Sequence, residues 1–277
     1  MHAGVGGHGL TVVGNLAVDR VDGGPPTPGG CPSFAALALA TLGHSGTILT
    51  QRAPADAALF ADARRFRGIT TTVLDAGVTS GFALRYDGEQ RAMTVTAVGD
   101  GWTPASVREV ATTWVHAAPL LRDEFPLATL AALRGTGHRL SLDGQGLVRV
   151  PAPGPMAVDA AYDPLLLAQL DVLKLADDEA RIVAGGEFTQ RHAEQLGVPE
   201  VLVTFGSAGA DLYLDGSHLH VEPGRRIHGV HTTGSGDMFA VAYAAARAAG
   251  SDPAAAAQGA CELVAEVLAR RLAGEPI

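Results

Sequence analysis

The chain has 277 residues, of which 47% are hydrophobic, 18% charged and 5% aromatic, and its formal net charge is −9. That balance describes a globular protein with enough chain for a sizeable core, and its acidic average field disfavours nucleic acid as a partner. Cys31 and Cys261 are the only cysteines, too few for a disulfide framework, so both are expected reduced in a cytoplasmic protein.

Residues 1–9 show no basic region followed by an apolar stretch, so no signal peptide is expected. The Ala-rich stretches are broken by Gly, Pro or charge before the length of a membrane span, so no membrane partner is expected. Lys174 is the only lysine, which excludes a Walker-type phosphate loop.

In chain order, residues 10–16 (LTVVGNL) read as a buried strand, with Asp19 beyond its C-terminal end. Residues 23–32 (GGPPTPGGCP) read as a turn-rich loop. An Ala/Leu-rich helix over 33–42 stops at Gly43, and a second strand follows over 47–50. Strand, loop, helix, strand signals a parallel α/β sheet. Residues 81–98 differ: Asp87-Gly88 between two partly alternating runs predicts an antiparallel hairpin, suited to a lid or a dimer surface. Short strands are expected at 114–117 and 140–143, with a helix over 125–133 between them. A strand at 171–175 leads into a helix over 177–184. Residues 201–205 form a further strand, and 211–214 pairs with 218–221. Helices over 237–249 and 253–272 end the chain, the second with Pro253 in its first turn. The expectation is one domain over 1–277, with a small lid from about 19–32 and 80–98.

The segment 232–237 (TTGSGD) carries the chemistry. Glycines let the backbone turn sharply and let a ligand approach. A helix start presents unpaired N–H groups backed by the positive end of the macrodipole, a cradle for negative charge. Phosphoryl transfer needs such donors together with a carboxylate that can take the proton of an attacking hydroxyl. Taken alone, the same segment also reads as an ordinary N-cap.

Residues 232–237 followed by Met238-Phe239 resemble the signature of the ribokinase-like (PfkB) carbohydrate kinase family. Pro28-Gly29-Gly30 with the helix to Gly43 resembles its N-terminal di-glycine signature. Residues 204–210 (TFGSAGA) resemble its T-x-G-x-x-G nucleotide segment, and Leu173-Lys174 with Glu179 its N-x-x-E segment. Four matches in the right order outweigh the capping reading. The resemblance implies a three-layer α/β/α fold with a mainly parallel sheet, and an ATP-dependent, Mg²⁺-assisted phosphotransferase acting on an alcohol. It makes Asp237 the base and the amides of Gly234, Ser235 and Gly236 the anion hole. Asp19 would bind substrate hydroxyls, Gly29 and Gly30 would admit the substrate to the backbone, and Asn15 and Ser33 are further substrate contacts. Thr204, Gly206, Gly209, Lys174 and Thr233 would line the ATP site, and Glu179 would organise Mg²⁺ through water.

Two positions depart from the family. His231 stands where it usually has Asp, which puts a cation-binding role of that segment in question. Ala176 stands where it usually has Asn, removing a polar group near the phosphates and magnesium. Residues 13–15, 29–34 and 141–149 look closer to an inositol-kinase-like branch. Asp143 there is a candidate substrate contact, with Gln145 and Arg149 also polar after a strand, against a reading as ordinary loop polarity. The substrate is therefore expected to be a sugar or polyol. A nucleoside kinase and a non-catalytic nucleotide- or sugar-binding relative stand as alternatives, and a homodimer through the lid is a further expectation.

Other signals carry less. Residues 4–9 match G-x-G-x-x-G but precede the first strand, so the dinucleotide-binding context is missing. His218 and His220 alternate along a strand with no Cys or carboxylate at ligand spacing, so zinc is not expected. Cys31 reads as a small buried thiol, and Trp102 and Trp114 as packing residues.

Overall fold

A computed structural model describes residues 7–61, 66–87, 90–135 and 137–275. Residues 4–6 and Gly88 of the hairpin turn lie outside the described residues. The chain begins with β1 (Gly7–Asn15), β2 (Ala17–Val21), β3 (Pro26–Gly29), α1 (Cys31–Thr41), β4 (Gly46–Arg52), β5 (Ile69–Asp75) and the hairpin β6 (Ser80–Asp87) and β7 (Gln90–Ala97). It continues through β8 (Thr112–Ala118), α2 (Leu127–Gly135), β9 (Arg139–Asp143), α3 (Gln145–Val148), β10 (Gly154–Pro155), β11 (Val172–Ala176), α4 (Asp177–Ala184) and α5 (Gln190–Leu196). It ends with β12 (Glu200–Thr204), β13 (Ala210–Leu214), β14 (Ser217–Val221), α6 (Ser235–Ala248) and α7 (Pro253–Leu272).

Nine strands form the main sheet, in the order β14-β13-β12-β11-β9-β8-β1-β4-β5. Every pairing in it is parallel except β12 with β13 and β13 with β14. The strands are apolar on both faces because both are covered. Val12 points into a core shared with α1, α6 and α7, while Val13 points into a second core with α2, α4 and α5. The result is the expected three-layer α/β/α arrangement. The chain runs from β1 out to β4 and β5, then returns to the other side of β1 through β8 and onward. That reversal opens a crevice beyond the strand ends, the usual place for ligands in such sheets.

A second sheet of five strands, β10-β7-β6-β2-β3, stands beside the first. Phe82, Val95 and Ala17 pack on Leu120 and Leu121, which follow β8. The hairpin expected over 81–98 is β6 and β7. The segment expected as a loop over 23–32 differs, because it contains β3, paired with β2. Pro26 and Pro28 tolerate this because β3 is an edge strand. Other elements also lay outside the sequence reading, β5 and α5 among them. β5 is an edge strand with a half-exposed, Thr-rich pattern, and α5 is only seven residues long.

A buried ionic cluster ties α6 to the sheet. Glu200 of β12 accepts from Tyr243 Oη at 2.6 Å and from Arg247 Nη2 and Nε at 2.7 and 3.2 Å. The Arg247 guanidinium also lies over Trp114, 5.6 Å from the ring centroid. Removing one partner would strand a carboxylate that is only 7% exposed. Arg247→Ala should therefore destabilise the fold by about 3 kcal/mol, read as a lowered urea midpoint at unchanged m-value. A change under about 0.5 kcal/mol would show that the cluster is not a structural anchor.

Candidate active site

The segment 232–237 makes the tight entry to α6 that its glycines predict. Gly234 is the N-cap, at φ 81. A Cβ there would also lie 2.2 Å from the Phe34 ring, so glycine is required twice over. Ser235 N–H donates to the Thr232 carbonyl at 3.0 Å. Among the described residues, the amides of Gly234, Gly236 and Asp237 have no such partner. Of the three amides expected to form the cradle, that of Ser235 closes the turn, while those of Gly234 and Gly236 stay open beside that of Asp237. The Ser235 hydroxyl is buried without a partner.

Asp237 lies in the first turn of α6, where a carboxylate suits the helix dipole. It is partly exposed, and the Cys31 thiol at the start of α1 hydrogen-bonds to it. Burial and then the charge of Asp143 push its pKa up to about 7, against the pull of Lys174 and Arg149. Burial, then Asp237 and Asp143, hold the Cys31 thiol well above its usual range, so it stays a neutral donor rather than a nucleophile.

Lys174 is 4% exposed, with Nζ 3.4 Å from Asp143 Oδ2. A Cβ on Gly236 would sit 3.0 Å from the same ammonium, so Lys174 borders the cradle directly. Burial opposes its charge, but Asp143, Glu179 and Asp237 outweigh that and raise its pKa. Glu179, 5% exposed at the third position of α4, accepts from Ala176 N–H at 2.9 Å and lies 3.6 Å from Arg149 Nη2. Arg149, which the sequence left balanced between site and loop polarity, thus joins the charged cluster. His116 on β8 is fully buried beside it. Burial drives its pKa down to about 4, and Nδ1 meets Ser141 Oγ at 3.1 Å.

The expected acceptor residues divide. The Asp19 carboxylate abuts Gly29, where a Cβ would fall 2.1 Å from Oδ2. Gly30, at φ 85, passes so near the Asn15 carbonyl that a Cβ would lie 2.4 Å away. Asp19 lines a cleft of about 310 Å³ with Thr27, Phe34, Tyr86, Thr233 and Arg271. Asn15 and Ser33 are engaged elsewhere. The Asn15 amide donates to the Asp100 carbonyl at 3.0 Å and accepts from Gln51 at 2.9 Å, and Ser33 Oγ donates to the Gly29 carbonyl at 3.0 Å. Beside Asn15, burial pushes the Glu124 carboxyl up to about 8.

On the opposite flank, Thr204 Oγ1 donates to the Leu175 carbonyl at 3.3 Å. Gly209, at φ 102, is needed where the backbone crosses Val221, 2.1 Å from a hypothetical Cβ. Gly206 has open space around it. Thr233 Oγ1 and Tyr86 Oη share a 2.6 Å hydrogen bond, which joins the second sheet to the cradle. Arg271, in the last turn of α7, donates from Nη1 to the carbonyls of Thr233 at 2.9 Å and His231 at 3.3 Å. No sequence motif marks Tyr86 or Arg271. His218 and His220 do have a carboxylate partner, contrary to expectation: Asp211 lies 3.0 and 2.6 Å from them. Even so, no group of three candidate metal ligands occurs among the described residues. Glu179 and Asp143 both face cations and accept backbone N–H groups.

Comparison with known proteins agrees with this arrangement. Residues 18–277 match the model of the pfkB family carbohydrate kinases. No curated protein matches by sequence. Among solved structures, a pyrophosphate-dependent kinase in the ribokinase family, complexed with a pyrophosphate analog and myo-inositol, is 23% identical at a TM-score of 0.83, covering 94% of this chain and 95% of its own. Arabidopsis thaliana ribokinase complexed with ribose and ATP is 20% identical at a TM-score of 0.67, covering 91% and 90%. Burkholderia thailandensis nucleoside kinase in complex with inosine is 17% identical at a TM-score of 0.72, covering 94% and 90%. With a ribokinase-like fold and a family match over nearly its whole length, the chain belongs to the PfkB family of carbohydrate kinases and is a phosphotransferase acting on a sugar or polyol hydroxyl.

Proposed function

We propose that the protein phosphorylates one hydroxyl of a neutral polyol of the inositol kind, with Asp237 as general base. The observation that carries this reading is the meeting, within one turn of α6, of free backbone amides, a carboxylate with a pKa near 7 and the Lys174 ammonium. A base is most effective when its pKa lies near the working pH. The acceptor would lie over Gly29 and Gly30, with Asp19 accepting from its other hydroxyls. The amides of Gly234, Gly236 and Asp237, with Lys174, would hold the transferring phosphoryl group as its charge shifts. The proton of the attacking hydroxyl passes to Asp237 while the new O–P bond forms and the donor's bridging oxygen leaves. The second sheet, over the segments 19–32 and 80–98, would act as a lid.

The donor has two readings. ATP is supported by the resemblance of residues 204–210 to a nucleotide segment and by the open backbone at Gly206. Inorganic pyrophosphate is supported by the likeness to the pyrophosphate-dependent neighbour. It is also favoured because Thr204 and Gly209 already have structural work within the fold. Mg²⁺ would associate with the donor's own phosphates, and Glu179 would organise it through water; no step above runs through the ion.

Phosphorylation should be measured across inositols, pentoses, hexoses and nucleosides, each with ATP and with pyrophosphate. Turnover is expected with an inositol-like polyol, and a nucleoside preference would overturn the acceptor reading. Asp237→Asn should lower kcat by about 10²–10⁴, and kcat/KM of the wild type should climb with pH and level off above about 7. A variant within about threefold of wild type would remove Asp237 from the base role.

The same carboxylate makes a stability prediction. Its folded pKa, about 7, exceeds its unfolded value. The folded state therefore binds the extra proton between these values, and a penalty accumulates as pH rises through that window. Asp237→Asn should be more stable than wild type at pH 8 by an amount on the order of 2 kcal/mol, and by much less at pH 5, in paired urea titrations. An equal difference at both pH values would contradict the raised pKa.

A further inference from the structure

The residue that holds the cradle in place comes from the far end of the chain. The carbonyls of His231 and Thr233 both point at Arg271 Nη1. In a trans peptide the C=O and the following N–H point in opposite directions. Holding the Thr233 carbonyl therefore turns the Gly234 N–H away from Arg271 and toward the cradle. Two carbonyl oxygens converging on one point form a cation-seeking arrangement, here filled by a guanidinium that carries its charge at every working pH. Among the described residues no carboxylate pairs with Arg271, so its charge is not cancelled locally. It lines the same cleft as Asp19, beside Tyr86 and Thr233.

We infer that Arg271 is a built-in cation that positions the anion cradle, so that the protein needs no monovalent metal ion at these carbonyls. His231, at the entry to the segment, fits this role. It offers its backbone carbonyl to the guanidinium, and its exposed imidazole replaces the anionic side chain that a metal ion would favour. Arg271 acts through the loop and is a positioning residue, not a catalytic one. The inference rests on the proposed cradle, so its test must separate the two.

The test uses the full chain and two readouts. Pyrophosphate and inorganic phosphate binding are measured by calorimetry in tetramethylammonium chloride and in potassium chloride at equal ionic strength. Wild-type affinity should be the same in both salts. Arg271→Ala should lose about tenfold or more in tetramethylammonium chloride and regain much of it with potassium or methylguanidinium, while Arg271→Lys should lose less. A purely structural defect would not be rescued by a small cation. Wild-type binding that depends steeply on potassium, or an Arg271→Ala variant that binds as wild type without potassium, overturns the inference. If wild type binds neither anion, the cradle itself fails. Hydrogen exchange over residues 230–238 then decides for Arg271: faster exchange in Arg271→Ala, slowed again by methylguanidinium, supports it, and unchanged exchange overturns it.

Discussion

The only lysine of the chain is buried among carboxylates, and the site depends on that placement. Lys174 at 4% exposure would be costly as an isolated ion. Asp143, Glu179 and Asp237 make its charge favourable. The dependence is mutual. Burial and then Asp143 raise the pKa of Asp237, and Lys174 with Arg149 lowers it, so burial and these charges together place the proposed base near neutrality. The same ammonium sits beside Gly236, where a phosphate oxygen would need a counter-charge. One cation thus acts on both the proposed base and the proposed cradle. Replacing it with a neutral side chain would disturb both together.

The fold explains why these groups meet. Asp143 ends β9, Lys174 lies on β11 next to it in the sheet, and Glu179 opens α4 directly after β11. Parallel neighbours bring their C-terminal ends to one edge, so residues 31 positions apart pair across a single ladder step, as the Lys174–Asp143 register shows. α6 then delivers Asp237 from the opposite layer, through the Gly234 turn that only glycine can make against Phe34. The Cys31 thiol links Asp237 to α1, and so to the two glycines on the acceptor side.

Legibility in the sequence followed locality. The cradle and its acid were readable because they form six consecutive residues whose glycines and helix start have a direct physical meaning. Gly29, Gly30 and Asp19 were singled out only through the resemblance of residues 28–30 and their surroundings to the family's N-terminal signature. Residues 253–272 were readable as a helix with Pro253 in its first turn. By contrast, Tyr86 meets Thr233 across 147 positions and Arg271 across 38, and neither side chain belongs to a local pattern. Asn15 and Thr204 fit a motif by type, but their polar atoms went to the Asp100 loop and the Leu175 carbonyl. A motif specifies residue types; which hydrogen bond each one makes is decided by packing. The edge strands β3 and β5 were missed for a related reason, since an edge strand lacks the apolar pattern that burial on both faces imposes.

The last helix reaches the proposed cradle from a distance. The C-terminal end of α7 carries the negative pole of its dipole near the proposed anion cradle. Left bare, that pole would oppose phosphate binding. Arg270 and Arg271 occupy its last turn, and Arg271 reaches across to the two carbonyls that precede the cradle. Its charge therefore answers two local sources of negative potential, the helix terminus and the loop carbonyls, before any ligand arrives. Tyr86 approaches the same loop from the second sheet, through Thr233 and an edge-on contact with His231 at 5.0 Å. The loop is thus held from below by the C-terminal helix and touched from above by the hairpin. If the hairpin serves as the proposed lid, its movement would be transmitted through Tyr86 and Thr233 to this loop.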